Sequence, residues 1–357
     1  MQRGDRIPRQ SSKRARRLGS NVISTSLIVA AFLGFLLVVL LIVDSGAAEV
    51  ARAMLVLGWW LLPISLFHLV PLSFSALSWR ELMPASSRPD VVSVVWIRWI
   101  RESINALLPV AGVGGDIASA RLAHQRGLPG PQAGASIVVD TTVGVATQLV
   151  FVIAGVTLLV NRSSEHAAVP VAWAVSTGIG VFVAAIAIFV LVQHRRMFVV
   201  FAKLARRLTP EKWLSGFTSS ASAIDDAVVA TYRRRFALLR AGLLRLVGWT
   251  AGAGEIWLVM HFLMRPLNLI DAFILESLSS GVRAAAFMVP GALGVLEGGF
   301  VLFGALFGLP ADTALAISLC KRVRELALGL PGLFVWQWVE GHHLLRRGEE
   351  KPNSKSR

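Results

Sequence analysis

Long apolar segments recur along the chain and are separated by stretches rich in Lys and Arg. A membrane-spanning helix needs about 20 mainly apolar residues. The first apolar run is longer than the about 7–15 residues of a secretory signal, so we interpret it as a retained helix. The pattern therefore predicts an all-α polytopic membrane helix bundle with about six spanning helices. The predicted spans are residues 22–43, 52–77, 133–160, 168–192, 238–262 and 312–340.

Two further segments, 91–126 and 277–308, are apolar but interrupted by proline and clustered glycines. Such residues end a helix, so each segment is divided into two halves that are too short to span a bilayer. Non-helical backbone at membrane depth must be buried in protein or line a cavity. The segments therefore predict two re-entrant hairpins, with a kinked span as the alternative. The predicted turn residues are Pro109, Gly112, Gly114, Gly115, Pro290, Gly291 and Gly294.

The two interrupted segments are related by an internal repeat. A shift of 181 positions aligns residues 107–140 with 288–321 and gives seven identities in 34 positions, including the triplet Gly-Leu-Pro. Repeat one covers about 91–160 and repeat two about 271–340. The preceding spans predict that the two hairpins enter the membrane from opposite sides, which makes an inverted repeat. Inverted repeats with broken helices are typical of transporters.

Composition and charge support a membrane protein. The chain has 357 residues, 55% of them apolar and 16% charged, with a mean hydropathy of +0.64. A soluble chain of this size carries about 25% charged residues. The single cysteine, Cys320, excludes an intrachain disulfide.

The net charge of +15 indicates topology rather than nucleic-acid binding. With the N-terminus inside, 27 Lys and Arg residues lie on the cytoplasmic side and three on the other side. The positive-inside rule then places both termini in the cytoplasm. The tails are 1–21 and 343–357, and the largest cytoplasmic loop is 193–236. We interpret the charge of that loop as topological retention together with contact to anionic lipid.

Ionisable residues within apolar segments need a partner or a water-filled cavity. The repeat places Asp140 and Lys321 at similar depths, which predicts that Asp140 lies near Lys321, Arg322 or Arg324. An ion pair between Lys321 and Glu325 is also predicted from their spacing along one helix. Structural ion pairs and a polar lipid-binding cavity are both compatible with this pattern. The residues assigned to the cavity are Arg101, Glu102, Asp116, Arg121, Asp140, Glu297, Lys321, Arg322, Arg324 and Glu325.

Other ionisable residues in these segments are not assigned to the cavity. His68 is interpreted as a structural, hydrogen-bonded histidine. Arg245 and Glu255 occupy one predicted span, and Glu276 and Arg283 precede the second hairpin turn.

Catalytic motifs are missing from the sequence. There is no P-loop, no Gly-x-Ser-x-Gly elbow and no His-Glu-x-x-His pair. Residues 116–121 resemble the start of the CDP-alcohol phosphotransferase motif, but Ile117 and Gly134 stand where its glycine and next aspartate belong. The sequence therefore predicts no enzyme activity, no metal site and no cofactor.

Two motifs resemble the lysylphosphatidylglycerol synthase transmembrane, or flippase-like, family. They are Asn105–Pro109 followed by Gly112–Asp116, and Pro290–Gly299. The resemblance extends over about residues 20–342. Within the family, Arg101–Ser103, Val138–Asp140 and Lys321–Leu326 look most like the branch associated with hopanoid biosynthesis.

The resemblance implies a multi-pass bacterial inner-membrane protein with a flippase-like domain over 22–342, which binds a lipid and moves it between leaflets. Its expected partners are anionic phospholipids or hopanoid-type lipids and proteins of lipid synthesis or transport, with no nucleic acid. The full-length synthases carry a soluble aminoacyltransferase domain, whereas only a short basic segment follows Trp338 here. Aminoacyl transfer is therefore not expected. A non-catalytic subunit that scaffolds lipid-synthesis enzymes is the alternative function.

Overall fold

The computed structural model describes residues 47–108, 113–162, 215–286 and 289–349. Over these ranges the chain forms helices and no strand. The helices are α1 (Ala47–Leu57), α2 (Leu61–Phe67), α3 (Leu69–Leu82), α4 (Val91–Leu107), α5 (Val113–Gln125), α6 (Gly130–Arg162), α7 (Ser215–Arg233), α8 (Arg235–Phe262), α9 (Leu269–Ala285), α10 (Val295–Leu306) and α11 (Ala311–Glu349).

Three helical stretches in this part of the chain are long and apolar enough to cross a membrane. They are Val50–Leu82, which runs through α1 to α3, together with α6 and α8. They contain the predicted spans 52–77, 133–160 and 238–262, so the prediction of an all-α polytopic membrane bundle is confirmed. The predicted spans 22–43 and 168–192 lie outside the described residues.

The last predicted span, 312–340, lies within α11, a continuous helix of 39 residues that includes Pro331. This helix is not among the three apolar stretches, because Lys321, Arg322, Arg324 and Glu325 lie within it. Its position in a membrane therefore depends on partners for these charges, which other helices must supply.

Each predicted hairpin consists of two antiparallel helices. In the first, Asn105 near the end of α4 accepts a hydrogen bond from the Gly115 N–H of α5 (2.9 Å). At the open end, the Arg126 guanidinium that follows α5 lies 5.3 Å from the Trp96 ring centroid on α4. In the second hairpin, Gly299 of α10 lies close to Val282 of α9.

Both hairpins begin at a capped helix. The Asp90 carboxylate accepts the Ser93 N–H at the start of α4 (3.0 Å), and Asn268 accepts the Asp271 N–H at the start of α9 (2.8 Å). Such caps satisfy backbone donors that the first helical turn leaves unpaired. Hydrogen bonds from Ser93 also hold the pKa of the Asp90 carboxyl below its usual value.

The hairpin turns are described in part. Pro109 and Gly112 lie outside the described residues. Gly114 and Gly115 belong to the first turn of α5, and Pro290 begins a short 3-10 turn before α10. Gly291 and Gly294 have φ angles of +62° and +77°, a region that favours glycine. The second interruption is therefore a true break between helices, while re-entry into a bilayer stays a prediction.

Gly115 allows the close approach of α4 and α5, so we expect Gly115→Ala to destabilise the protein. An added Cβ would lie 2.4 Å from the Arg101 carbonyl oxygen and 2.5 Å from Asn105 Oδ1. Overpacking of this kind costs about 1–3 kcal/mol. The free energy of unfolding in detergent measures the loss. Gly130→Ala, where a Cβ meets nothing within 4 Å, is the control and should leave stability unchanged or slightly higher.

The repeat is visible in the backbone. Leu128 N–H bonds to the Ala123 carbonyl, and Leu309 N–H, 181 positions later, bonds to the Gly304 carbonyl. Gly127 and Gly308 both have positive φ, at +94° and +68°. The Gly-Leu-Pro triplet therefore ends the second helix of each repeat with the same turn.

The third helices of the two repeats, α6 and α11, can be oriented through their contacts with α8. Along α6, Asp140 contacts Arg245 and Thr147 contacts Trp249. Residue numbers therefore increase in the same direction along both helices, and α6 runs parallel to α8. Asp312, near the start of α11, lies beside Arg265, which follows the end of α8. Arg324, later in α11, contacts Glu255, which is earlier in α8. Helix α11 is thus antiparallel to α8. The two repeats run in opposite directions, as an inverted repeat requires.

The repeats also pack reciprocally. The first helix of repeat one, α4, packs on the third helix of repeat two, α11, and α9 packs on α6. Trp99 donates to the Leu328 carbonyl across one contact (2.9 Å), and Gln148 donates to the Ser280 carbonyl across the other (3.0 Å). Each repeat therefore completes the packing of the other.

The predicted cytoplasmic loop 193–236 contains a helix in its described part. Helix α7 packs against α6, where its Val228 shares an apolar cluster with Val139. Arg234, in the basic run after α7, donates to the backbone carbonyls of Leu82 and Met83 at the end of α3. A structural role as a helix C-cap was not predicted for this residue, which the sequence assigned only to topology and lipid contact.

Candidate functional site

A cavity of about 330 Å³ lies between the two repeats. Helices α3, α4, α6, α8, α9, α10 and α11 all contribute to its wall, so no single hairpin forms it. The ionisable residues of the wall are His68, Glu102, Glu276, Arg283, Lys321, Arg324 and Glu325. The rest of the wall is formed by neutral polar, aromatic and aliphatic side chains, including Asn105, Gln148, Ser279, Trp99, Trp249, Leu72, Leu296 and Leu328.

Beside the cavity, Asp140 on α6 holds three arginines together. Its carboxylate accepts from Arg98 (2.9 Å), Arg101 (2.6 Å) and Arg245 (3.0 Å), and its side chain is fully buried. A buried carboxylate is stable only when cations and hydrogen bonds compensate its loss of solvation. Asp140 therefore joins α4, α6 and α8 at one point.

Two further carboxylates balance these arginines. Asp116 on α5 accepts from Arg101 Nε (2.6 Å), and Glu102 accepts from Arg98 Nε (3.3 Å). The Asp140 cluster consists of Arg98, Arg101, Glu102, Asp116, Asp140 and Arg245. It contains three cations and three anions and is neutral.

A second cluster forms around Glu255 on α8. Arg324 of α11 donates to its carboxylate, and the Lys321 ammonium lies 3.9 Å away. Lys321 also donates to Glu276 of α9 (2.5 Å). Glu255 is buried, with 3% of its side chain exposed, so these cations compensate a charge that has little access to water.

The second cluster extends to the turn of the second hairpin. Glu297 accepts from Arg322 Nε (3.0 Å) and from the Gly294 N–H (2.8 Å), so it ties α11 to the start of α10. Glu325 accepts from Arg322 (3.0 Å) and from Arg283 (2.9 Å). The Glu255 cluster consists of Glu255, Glu276, Arg283, Glu297, Lys321, Arg322, Arg324 and Glu325. It contains four cations and four anions and is also neutral.

His68 lies between the two clusters, at the junction of α2 and α3. Its Nε2 is 3.3 Å from Glu102 Oε2 in the Asp140 cluster, and its Nδ1 contacts Glu255 in the Glu255 cluster. No other ion pair of the described residues joins the two clusters. The histidine side chain is 21% exposed, and this surface faces the cavity.

The structure separates residues that the sequence was expected to bring together. The prediction that Asp140 lies near Lys321, Arg322 or Arg324 is wrong, since its partners are Arg98, Arg101 and Arg245. The predicted pair of Lys321 with Glu325 is also wrong. Lys321 turns to Glu255 and Glu276, while Glu325 meets Arg283 and Arg322.

The assigned site residues take three positions. Glu102, Lys321, Arg324 and Glu325 line the cavity. The residues that lie behind the cavity wall, within the two clusters, are Arg101, Asp116, Asp140, Glu297 and Arg322. Arg121 is exposed on α5 and is absent from the wall.

Six residues of the clusters and their bridge were not assigned from the sequence: His68, Arg98, Arg245, Glu255, Glu276 and Arg283. An available signal was overlooked for Arg98, which is four residues before Glu102 and therefore shares its helical face. Glu255 and Arg245 are isolated charges in an otherwise apolar span, which marks an intramembrane residue as a candidate for function.

Metal chemistry gains no support from the described part of the chain. It contains no group of three His, Cys, Asp or Glu side chains placed to hold a metal ion. The three carboxylates of the cavity wall, Glu102, Glu276 and Glu325, are each engaged by Arg or Lys, and Glu102 also meets His68. The arrangement is suited to binding a polar group by charge and hydrogen bonds.

Apolar spans, two inverted hairpin repeats and a charged cavity between them define a multi-pass membrane protein built around a polar internal site. The model of the lysylphosphatidylglycerol synthase TM region matches residues 24–332, most of the chain. The protein belongs to this family, as the two sequence motifs indicated. This places it among integral membrane proteins related to lipid metabolism. Searches of curated proteins and of solved structures found no match.

Proposed function

We propose that the protein binds the polar headgroup of a membrane lipid in the cavity between its repeats and moves that lipid between leaflets. The observation that carries the proposal is the wall itself, which combines acidic, basic and neutral polar side chains from both repeats. A cavity that combines such groups with apolar side chains can hold a charged headgroup together with the carbon atoms next to it.

The size of the cavity supports a headgroup. Its volume of about 330 Å³ is at the lower end of the range of about 300–1,000 Å³ found for small-molecule sites. A phosphate with a small polar substituent fits within that volume, whereas two acyl chains do not. The chains would stay in the bilayer while the headgroup crosses.

Two groups of the wall are suited to a lipid phosphate and its hydroxyls. The Arg283 side chain is 41% exposed and pairs with Glu325. If Arg283 turned to bind a phosphate, Glu325 would still be paired with Arg322 and Arg324. The buried Ser279 hydroxyl has no hydrogen-bond partner within the described residues. Arginine binds phosphate in a bidentate manner, and an unpaired hydroxyl gains from a polar ligand.

The inverted repeat supports movement across the bilayer. A site at the interface of oppositely oriented repeats can be opened to one side or the other by rocking one repeat against its partner. In the resulting proposal the protein is a carrier and not an enzyme. It lies in a bacterial inner membrane with both termini in the cytoplasm, and its main partners are anionic lipids.

The cargo is proposed from the sequence resemblance together with the charge of the site. The likeness of the Lys321–Leu326 stretch to the hopanoid-associated branch favours a hopanoid-type lipid with a polar end. The partly exposed Arg283 guanidinium favours an anionic phospholipid. Both classes present a compact polar group, and comparison of the two in one assay separates them.

Lipid translocation in proteoliposomes tests the proposal. A fluorescent phosphatidylglycerol is placed in the vesicles, and a membrane-impermeant quencher reports its arrival in the outer leaflet. We expect Arg283→Ala to slow translocation about tenfold, which corresponds to about 1.4 kcal/mol, because a charge-assisted bond to phosphate is lost.

Arg162→Ala is the matched control. Arg162 pairs with Asp271 at the surface, near the start of α9 and away from the cavity wall, so translocation should equal that of the wild type. A wild-type protein that moves neither phosphatidylglycerol nor a hopanoid-type lipid would contradict the proposal. Co-purifying lipid-synthesis enzymes would then support the scaffold alternative.

A further inference from the structure

His68 occupies a position that no other described residue shares, because it alone joins two charge-neutral clusters. Its ring contacts Glu102 of the Asp140 cluster and Glu255 of the Glu255 cluster. The charge at this junction depends on one titratable ring that faces the cavity.

The geometry around the ring favours its protonated form. A neutral imidazole carries one N–H, so it can donate to only one of two carboxylates and directs a lone pair at the other. A protonated ring donates from Nδ1 to Glu255 and from Nε2 to Glu102. Arg324 Nη1 lies 3.1 Å from Nδ1 and donates to Glu255 Oε2, and the positive charge of this guanidinium opposes the added charge of a protonated ring.

The charges around the cavity oppose protonation when the cavity holds no anion. The two clusters contain seven cations and seven anions. A protonated His68 adds one positive charge to this neutral set, and an uncompensated charge on a ring that is only 21% exposed is costly. An anionic headgroup in the cavity restores neutrality.

We propose that His68 is the proton site of the transporter, so that one proton is taken up with one anionic lipid headgroup. This inference rests on the proposed function and names the ion that accompanies the cargo. The proton binds to the ring nitrogen that lacks one, and no other bond forms or breaks. By linkage, the proton and the anion each increase the affinity of the site for the other.

The charged groups that face His68 come from three neighbouring helices. Glu102 lies on α4, Glu255 on α8 and Arg324 on α11. Lys321, also on α11, lies 3.9 Å from Glu255. Each carboxylate is paired with a cation of its own cluster, so the histidine is the group whose charge can change near neutral pH.

Calorimetry on the purified full chain in detergent tests the proposal. Short-chain phosphatidylglycerol is titrated into the protein at pH 7 in two buffers with different enthalpies of ionisation, which gives the number of protons taken up per lipid bound. We expect a positive number no greater than one. The affinity should also fall as the pH rises, by at most about tenfold per unit.

Two histidine variants make the test specific. His68→Gln keeps a hydrogen-bonding side chain but does not titrate, so it should bind phosphatidylglycerol more weakly with almost no proton uptake. His261→Gln is the control, since this ring stacks on Trp257 and is absent from the cavity wall. It should match the wild type in both affinity and proton uptake.

Two other probes identify the ligand chemistry. Glycerophosphoglycerol, the phosphodiester headgroup without acyl chains, carries the same single charge and should bind with the same proton number but more weakly, because the lipid is the proposed source of the phosphate. Short-chain phosphatidylcholine carries no net charge and should bind without proton uptake. Equal proton uptake with this lipid would overturn the explanation by charge.

Failure of this inference is distinct from failure of the proposed function. Phosphatidylglycerol binding with no proton uptake, or uptake that persists in His68→Gln, overturns the inference and leaves lipid binding in place. If phosphatidylglycerol does not bind at all, this inference is overturned, and the proposed function is overturned as well if a hopanoid-type lipid is not moved either.

Discussion

Asp140→Asn should be among the most destabilising single substitutions in the described chain. The change removes a negative charge that compensates Arg98, Arg101 and Arg245, and the buried position leaves little water to replace it. Removing one partner from a buried ion pair costs about 3–5 kcal/mol. The free energy of unfolding of purified protein in a mild detergent measures the loss.

Two further variants decide whether charge is the cause. Glu81→Gln neutralises a partly exposed carboxylate that pairs with Arg88 at 3.3 Å, and such pairs contribute about 0–1 kcal/mol. Arg245→Met in the Asp140→Asn background removes one of the uncompensated cations and should recover part of the stability. A loss for Asp140→Asn no larger than that for Glu81→Gln would contradict the role given to this carboxylate.

Gly155→Ala should be the second severe substitution, because it separates the two repeats. Gly155 of α6 faces Ser277 of α9, and an added Cβ would lie 1.6 Å from the serine Oγ and 2.6 Å from its Cβ. Rotation of the hydroxyl cannot relieve the second contact, so the helices must move apart. We expect a cost of about 3 kcal/mol, at the upper end for overpacking, measured as a loss in the free energy of unfolding.

A double-mutant cycle attributes this cost to the contact. Ser277→Gly removes the opposing Cβ and alone should cost about 1 kcal/mol, as glycine does within a helix. The double variant Gly155→Ala, Ser277→Gly should be nearly as stable as Ser277→Gly alone. Its loss of stability should therefore be smaller than the sum of the two single losses. Gly134→Ala is the control, since its nearest neighbour would be an ordinary contact at 3.6 Å. Additive losses in the cycle would contradict direct contact.

The sequence predicted the elements of the fold well, because membrane spans and helix breaks are local signals. Hydropathy marked 133–160 and 238–262, and proline and glycine marked the break near Pro290. The Gly-Leu-Pro triplet revealed a repeat whose turns form equivalent hydrogen bonds. Helix α7 was missed because its composition is more polar and lies within a basic loop.

The partners of the buried charges could not be predicted from the sequence. Counting residues from the predicted span ends placed Asp140 and Lys321 at the same depth. Asp140 contacts Arg245 and Lys321 lies beside Glu255. These two α8 residues are ten positions apart, about 15 Å along the helix axis, so the two groups meet α8 at different levels. How far each helix is shifted along its neighbours depends on packing, which the sequence does not give.

The reciprocal packing of α4 with α11 and of α9 with α6 bears on how such a chain could arise. A polypeptide of one repeat alone would expose two surfaces, each shaped to fit the other. Two copies inserted in the membrane with opposite topology would cover both surfaces at once. A homodimer of subunits that each contain one repeat is therefore an ancestor that fits this packing, and duplication and fusion of its gene would have freed each repeat to acquire its own set of charges.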